Sequence, residues 1–173
     1  LTRVYREGHG LYTVSGILFN HESPRRTPAF VTRKISLAAA RISLGLDHEL
    51  RLGRLDPRRD WGFAGDYVRA MWLMLQQDEP EDFVIGTGTS HSVAEFCAAA
   101  FRTVGLDWRQ HVVSDPAYHR PGDAPIRLAN PERARRRLGW TPEVDFQRLV
   151  TMMVEGDRSE VRGQRSEVKG AGM

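Results

Sequence analysis

The chain has 173 residues, of which 40% are hydrophobic and 27% are charged. This length and composition predict one folded domain and argue against a collagen-like, disulfide-rich or wholly disordered chain. Arginine supplies nearly all of the cations behind the formal net charge of +3, which favours phosphate or carboxylate partners but is also what a GC-rich genome produces.

The first predicted elements are the end of a helix and a buried strand. Residues 1–10 place apolar side chains on one helical face and end in glycines, which is typical of a helix terminus. Residues 11–20 form an apolar, β-rich run without clean alternation, which predicts a strand covered on both faces. The polar residues 21–28 follow it, so we expect a loop at the carboxyl end of this strand, where ligands bind in open α/β sheets.

The rest of the pattern alternates helices with strands, which is typical of the α/β class. Ser92 and Glu95 have the spacing of a capping box, so a helix is expected to begin there. Residues 53–62 are rich in turn-forming residues. The predicted helices cover residues 31–44, 66–77, 92–104, 131–138 and 146–154, and the predicted strands cover residues 49–52, 82–85 and 108–113.

The C-terminal segment contains a repeat. The hexapeptide RSEVRG at residues 158–163 recurs at residues 165–170 with lysine in place of the second arginine. One apolar residue in seven cannot form a coiled-coil seam, so the segment is predicted to be a disordered tail. This places a folded domain at residues 1–156 and a disordered repeat tail at residues 157–173.

Cationic side chains occur in several predicted loops. The segment 20–26 follows the buried strand and is either a ligand loop or a solvated turn. Lys34 lies near a helix start, where it either adds to a phosphate site or is a surface lysine. Arg59 and Arg120 lie in loops as well, and a salt bridge with Asp60 is the alternative for Arg59. Spacing alone does not show whether these cations meet.

Other candidates favour structural roles. Cys97 lies on the apolar face of a predicted helix, which indicates a core residue. His21 and Glu22 are adjacent and lack the helical spacing of a zinc site, so no metal site is predicted. The arginines of residues 133–137 are more consistent with a solvated basic face than with nucleic-acid binding.

The sequence carries no signal for export or a membrane. No run approaches 18 consecutive apolar residues, and the N-terminal residues lack the apolar region of a signal peptide. The single cysteine cannot form an internal disulfide, which fits a reducing compartment. We therefore expect a cytoplasmic protein without a membrane or nucleic-acid partner.

Four segments together resemble the GDP-mannose 4,6-dehydratase family of the extended short-chain dehydrogenase/reductase superfamily. They are GILFNHESPRR at residues 16–26, FVTRKI at 30–35, RDWGFAGDYVRAMWLMLQQDEPEDFVIGTG at 59–88 and LGW at 138–140. The resemblance covers about residues 3–155. It implies the C-terminal part of a Rossmann-type α/β fold: the last strands of the NADP-binding sheet and the substrate-binding cap, with the first part of the parallel sheet missing.

The resemblance also implies a reaction and a set of site residues. In the family, NADP(H) oxidises C4 of GDP-mannose, water is lost from C5 and C6, and hydride returns to C6, giving GDP-4-keto-6-deoxy-mannose. By matching position, His21 and Arg26 are expected to meet the NADP cofactor. The residues expected to line the GDP-mannose site are Asn20, Phe30, Val31, Lys34, Gly53, Arg59, Arg120 and Asp123. Asp123 stands where the family usually has glutamate, so a weaker contact with the nucleotide ribose is expected.

The family's catalytic motifs do not occur in this chain. There is neither a Gly-rich turn for a pyrophosphate nor a Tyr-x-x-x-Lys pair. We therefore expect a truncated dehydratase with no catalytic residue here and no activity of this chain alone. The partners that the resemblance implies are GDP-mannose, an upstream fragment that carries both motifs, and further copies of the chain in a homo-oligomer. The alternatives are a non-catalytic GDP-sugar-binding module and half of a split enzyme.

Overall fold

The computed structural model describes residues 1–119, 121–122 and 124–170, with side chains through residue 164. The α-helices in this part of the chain are α1 Thr2–His9, α2 Val31–Ser43, α3 Ala64–Met74, α4 Val93–Thr103, α5 Glu132–Leu138 and α6 Phe146–Gly170. The strands are β1 Gly16–Leu18, β2 Asn20–Glu22, β3 Leu50–Leu52, β4 Arg58–Arg59, β5 Trp61–Phe63, β6 Phe83–Ile85, β7 His91–Ser92, β8 Val112–Ser114 and β9 Ile126–Arg127. Short 3-10 helices cover Trp108–Gln110 and Pro116–Tyr118.

Most strand pairs are parallel. β1 pairs with β6, β2 with β5, and β3 with β8, all in parallel, and helices lie between the paired strands in the sequence. β4 pairs with β9 in parallel and with β7 in the antiparallel direction. Parallel strands with intervening helices confirm the predicted α/β class.

Two groups of buried apolar residues form the core. The larger one lies between α2, α4 and α6 and includes Ile35, Phe96 and Met153. The smaller one packs α3 and α5 against β6, with the Trp140 indole donating to the Asp66 carbonyl at 2.9 Å. Cys97 belongs to the larger group and is fully buried, which confirms its predicted core position.

Local signals predicted the start of α4 and the end of α2. The Ser92 hydroxyl accepts a hydrogen bond from the Glu95 amide at 3.0 Å, and the Glu95 carboxylate accepts one from the Ser92 amide at 3.3 Å. The predicted capping box of α4 is therefore confirmed. Just past the C-terminal end of α2, Gly45 has a φ of 67°, which explains why that helix stops there.

The predicted strand at residues 11–20 differs from the structure. The structure has two shorter strands in place of the single predicted one. They are β1 and β2, and they lie on either side of Phe19. Ile17 is 57% exposed, so the strand is not covered on both faces. Among the described residues, β1 has β6 as its paired neighbour, and this leaves one side of the strand open.

Short strands were the elements that the pattern missed. β4 and β5 fall within or across residues 53–62, which were predicted as turn, and β7 and β9 were not predicted. Part of the predicted strand at residues 108–113 is a 3-10 helix before β8. Strands of two or three residues are too short for alternation to be visible in a sequence.

The last helix extends well past its predicted end at residue 154. α6 runs to Gly170, with Asp157 fully buried and Val161 4% exposed. The expectation of a disordered tail from residue 157 is therefore wrong for the described part of this segment. The physical reason is that Asp157 is held by an ion pair with Arg33 on α2, which apolar periodicity cannot reveal. No helix in the described part of the chain combines the length and apolar character needed to cross a bilayer.

Candidate functional site

The site begins on β2, which carries Asn20 and His21. β2 pairs with β5 so that Asn20 lies opposite Trp61 and His21 opposite Gly62. His21 Nδ1 lies 2.9 Å from the Phe19 carbonyl oxygen. Because a carbonyl oxygen only accepts, Nδ1 carries the proton, and Nε2 of the neutral ring is then an acceptor.

A buried tyrosine supports the His21 ring. The ring centroids of His21 and Tyr67 are 5.1 Å apart, and the Tyr67 hydroxyl donates to the Asn20 carbonyl at 3.5 Å. Tyr67 is completely buried, and this burial raises the pKa of its phenol. A β-carbon at Gly62 would lie 2.5 Å from the Tyr67 ring, so the absence of a side chain at Gly62 allows this packing.

Glu22 anchors the next part of the chain. Its carboxylate is 1% exposed, accepts a hydrogen bond from the Thr32 hydroxyl at 2.7 Å, and lies 3.2 Å from Arg26 Nε. Burial raises the pKa of Glu22, while the Thr32 hydrogen bond and the Arg26 charge oppose that rise. The carboxylate thus joins β2 to both the following loop and the first turn of α2.

Arg26 is held on a second side by an aromatic ring. Its guanidinium carbon lies 3.4 Å from the centroid of Phe30, which is the distance of a cation–π contact. Phe30 is the N-cap residue of α2 and is 45% exposed, and Val31 is the first residue of that helix. The start of α2 therefore lies beside the Arg26 side chain.

Lys34 and Gly53 both lie near Tyr118. The Lys34 ammonium nitrogen lies 5.9 Å from the Tyr118 ring centroid. A β-carbon on Gly53 would lie 2.5 Å from the Tyr118 carbonyl oxygen, and the Ser114 hydroxyl donates to the Gly53 carbonyl at 2.9 Å. The segments after β3 and β8 therefore approach each other closely, next to the first turns of α2.

Arg59 lies on β4 and reaches the segment that precedes β9. Its Nη1 donates to the carbonyls of Arg58 at 2.7 Å and Ala124 at 2.9 Å. Its neighbour Asp60 is fully buried and accepts hydrogen bonds from the Thr87 amide and hydroxyl and from two further backbone amides. A backbone nest around this carboxylate fixes the position from which Arg59 extends.

Arg120 and Asp123 lie outside the described residues, so their predicted roles stay predictions. Direct contacts join the residues of β2, the loop after it and the start of α2, and the Lys34 and Gly53 positions both lie near Tyr118. Tyr67, Thr32 and Tyr118 support them and were not singled out for the site, although Thr32 lies within the FVTRKI motif. No three His, Cys, Asp or Glu side chains among the described residues are grouped as a metal ion would require.

Solved structures share this fold. RMD from Pseudomonas aeruginosa, solved with NADPH, matches with a TM-score of 0.83 and 19% identity over 92% of this chain and 52% of that one. UDP-glucose 4-epimerase from Thermus thermophilus, solved with NAD, matches with a TM-score of 0.74 and 29% identity over 90% of this chain and 50% of that one. The architecture is that of a Rossmann-type extended short-chain dehydrogenase/reductase, of which this chain provides one part.

Sequence relatives narrow the class to one family. The family model for GDP-mannose 4,6 dehydratase matches residues 1–153. GDP-mannose 4,6 dehydratase 1 from Arabidopsis thaliana is 54% identical over 153 residues, which are 88% of this chain and 42% of that protein. The Homo sapiens enzyme is 47% identical over 88% of this chain and 46% of that protein. The chain belongs to the GDP-mannose 4,6-dehydratase family, and it spans about half the length of the curated relatives it matches.

Proposed function

We propose that this chain forms the sugar-nucleotide-binding part of a GDP-mannose 4,6-dehydratase. The observation that carries this proposal is the approach of Lys34 and Gly53 to Tyr118, next to the first turns of α2. A cation and a helix start at one place are features that suit a nucleoside diphosphate. Family membership supplies the identity of the nucleotide sugar.

Each predicted substrate residue has a physical role in this proposal. Lys34 and Arg59 neutralise the diphosphate, and Gly53 lines the site at the point where the segment after β8 packs closely against the segment after β3. The remaining residues line the site, and they are Asn20, Phe30, Val31, Arg120 and Asp123. The dipole of α2 adds a favourable field for the phosphates because Phe30, one of these lining residues, is the N-cap of that helix.

His21 and Arg26 fit the NADP cofactor that the family uses. The imidazole presents an acceptor at Nε2, and the guanidinium is fixed between Glu22 and Phe30, so both groups are oriented before a ligand arrives. Such a pair suits the hydroxyl and phosphate oxygens of a dinucleotide. When bound, NADP(H) supplies the hydride acceptor and donor for C4 and C6 of the hexose.

We further propose that the dehydration requires an upstream segment that carries the Gly-rich turn and the Tyr-x-x-x-Lys pair. An apolar stripe on α3 supports this proposal. It consists of Val68, Met71 and Trp72 on α3 and of Leu75 at its C-cap, which have helical spacing and are between 37% and 61% exposed. Exposed apolar stripes of this kind mark surfaces that another segment covers. The alternative is that a second copy of the chain in a homo-oligomer covers this stripe. We also propose that the protein is located in the cytoplasm.

Titration calorimetry tests the proposed function. The purified, monodisperse chain is titrated with GDP-mannose, UDP-glucose and NADP⁺ in separate experiments. Selective heat release with GDP-mannose is expected, because the contacts proposed for the sugar nucleotide lie within this chain. Equal affinities for GDP-mannose and UDP-glucose, or no binding by a chain that circular dichroism shows to be folded, would contradict the proposal.

A further inference from the structure

The last turns of α6 lie beyond the residues that the family model covers, yet part of them is buried. The family model ends at residue 153, whereas α6 continues to Gly170. Asp157 is fully buried, and the Glu160 side chain is 54% exposed. A helix extension that buries a carboxylate has a specific partner, because an unpaired buried charge is strongly unfavourable.

That partner is Arg33, whose guanidinium joins two separate segments. On one side, Nε lies 2.5 Å from Asp157 Oδ1 and Nη2 lies 2.8 Å from Glu160 Oε2. On the other side, Nη1 donates to the carbonyl of Pro24 and, at 3.1 Å, to the carbonyl of Arg26. Arg33 itself is 6% exposed. One planar fork therefore ties the extension of α6 to the backbone of the loop that carries Arg26.

Two more contacts support the same arrangement. Ser36, one turn further along α2, donates its hydroxyl to Asp157 Oδ2 at 2.5 Å. Gly156 packs directly on the loop, since a β-carbon at this position would lie 2.9 Å from Pro24 Cβ. The extension thus contacts the loop by ion pairing through Arg33 and by close packing at Gly156.

We propose that Arg33 is a positioning residue through which residues 156–160 fix the conformation of the loop at residues 23–30. The significance of this loop for ligand binding rests on the proposed function, in which Arg26 meets the cofactor. The effect of Arg33 on the loop can be measured without any ligand. An experiment can therefore disprove the positioning role without disproving the proposed function, and the reverse.

Hydrogen exchange of the loop amides provides the test. The amides of Arg25, Arg26 and Phe30 donate within the loop, to the Ser23 hydroxyl, the Ser23 carbonyl and the Thr27 carbonyl. In the full chain with Arg33→Lys, which keeps the charge but loses the fork, these amides are expected to exchange at least tenfold faster. Amides of α4 are expected to keep their wild-type rates. Unchanged loop rates, or loop amides that exchange without protection in the wild type, overturn the proposal.

A matched control lies on the same helix. Arg41 binds Asp47 through two nitrogens, at 2.6 and 3.1 Å, and both side chains are 39% exposed. Arg41→Lys is expected to leave exchange of the residue 23–30 loop unchanged. Equal acceleration in Arg33→Lys and Arg41→Lys would overturn the positioning role, because it would indicate a general effect of altering α2.

A second variant, Gly156→Ala, keeps all charges in place and tests the same proposal if Arg33→Lys does not fold. Gly156→Ala presses a methyl group on Pro24, so exchange of the Arg26 amide is expected to rise at least threefold while the α4 amides are unaffected. A uniform rise in exchange throughout the chain, or no rise in the loop, overturns the proposal.

NADPH fluorescence titration is the separate ligand readout. Where the wild type binds NADPH, Arg33→Lys is expected to bind it at least fivefold more weakly. Arg41→Lys is expected to bind it as the wild type does.

Discussion

Asp60 and Thr87 are joined by two hydrogen bonds to one oxygen. Asp60 Oδ1 accepts from the Thr87 amide at 2.9 Å and from the Thr87 hydroxyl at 2.7 Å. The other oxygen accepts from the amides of Gly88 at 2.9 Å and Ala129 at 3.3 Å. A single buried carboxylate thus holds together the segments that follow β4, β6 and β9.

Replacing Asp60 by alanine is expected to lower the free energy of unfolding by about 3 kcal/mol or more. The change removes the acceptor of one buried donor and three partly buried donors, and an unsatisfied buried donor costs about 1–3 kcal/mol. Urea unfolding followed by circular dichroism measures the effect. Asp78→Ala, at an exposed position, is the control and is expected to change stability by less than about 0.5 kcal/mol. Similar stabilities for the two variants would contradict the anchoring role of Asp60.

Gly53→Ala is expected to destabilise the chain by about 1–3 kcal/mol, because the new β-carbon would lie 2.5 Å from the Tyr118 carbonyl oxygen and the backbone must shift. GDP-mannose affinity is expected to fall in the same variant. Thermal unfolding and calorimetry measure the two effects. Gly8→Ala is the matched control, since no heavy atom lies within 4 Å of its added carbon. In α1 that change is expected to be neutral or stabilising.

Lys34→Ala is expected to weaken GDP-mannose binding by about 1.5–3 kcal/mol, the usual contribution of a hydrogen bond to a charged group. Titration calorimetry measures the change. Lys169→Ala removes the other lysine of the sequence and is expected to leave the affinity unchanged. An affinity that is the same for Lys34→Ala and the wild type would remove Lys34 from the proposed diphosphate site.

The ion pair between Arg6 and Asp82 predicts a pH dependence. Its two contacts are 2.8 and 3.0 Å long, and Asp82 also accepts from the Ser15 amide. The hydrogen bond from Arg6 lowers the pKa of Asp82 to about 2. Since an unfolded aspartate has a pKa of about 3.9, the pair stabilises the folded state above that value and its contribution disappears as the pH falls to about 2.

The difference in unfolding free energy between the wild type and Asp82→Asn isolates this contribution. We expect a constant difference above about pH 5 that shrinks towards zero as the pH approaches 2. Arg3→Ala removes the exposed Arg3–Glu7 pair instead and is expected to give a small difference. A difference for Asp82→Asn that grows on acidification would have the wrong sign for this ion pair.

Cys97 is expected to be unreactive in the folded chain. It is fully buried, and this burial raises the pKa of its thiol to about 12, so the thiolate is scarce at neutral pH. A thiol-reactive dye is expected to label the chain at pH 8 only after urea unfolding. Rapid labelling of the native chain would show that the packing of α4 opens readily.

The sequence predicted the elements whose signals are local. Ser92 and Glu95 lie three residues apart and satisfy each other's backbone partners, so their spacing alone indicates the start of α4. The extension of α6 could not be predicted in this way, because Ser36 and Asp157 are 121 residues apart in the chain. Nor could the exposure of Ile17, which depends on which strands lie beside β1 and not on the composition of β1 itself.

In the candidate site too, local motifs could be interpreted from the sequence, whereas contacts between distant residues could not. The resemblance of residues 16–35 to one family assigned His21, Arg26 and Lys34, because motif identity carries positional information. The residues beneath them were not assigned. Tyr67 and Tyr118 contribute through contacts with elements distant in the sequence, and an isolated tyrosine in a helix or a loop has no pattern that indicates such a contact.

The packing of Tyr67 against Gly62 fixes the position of the ring that lies beside the His21 imidazole. The Tyr67 ring packs closely on Gly62 and also lies beside the His21 ring, with the two ring centroids 5.1 Å apart. A methyl group at residue 62 would push the phenol outward and tilt the imidazole with it. The position of the His21 ring therefore depends on the neighbouring strand, at the one residue of this cluster that has no side chain.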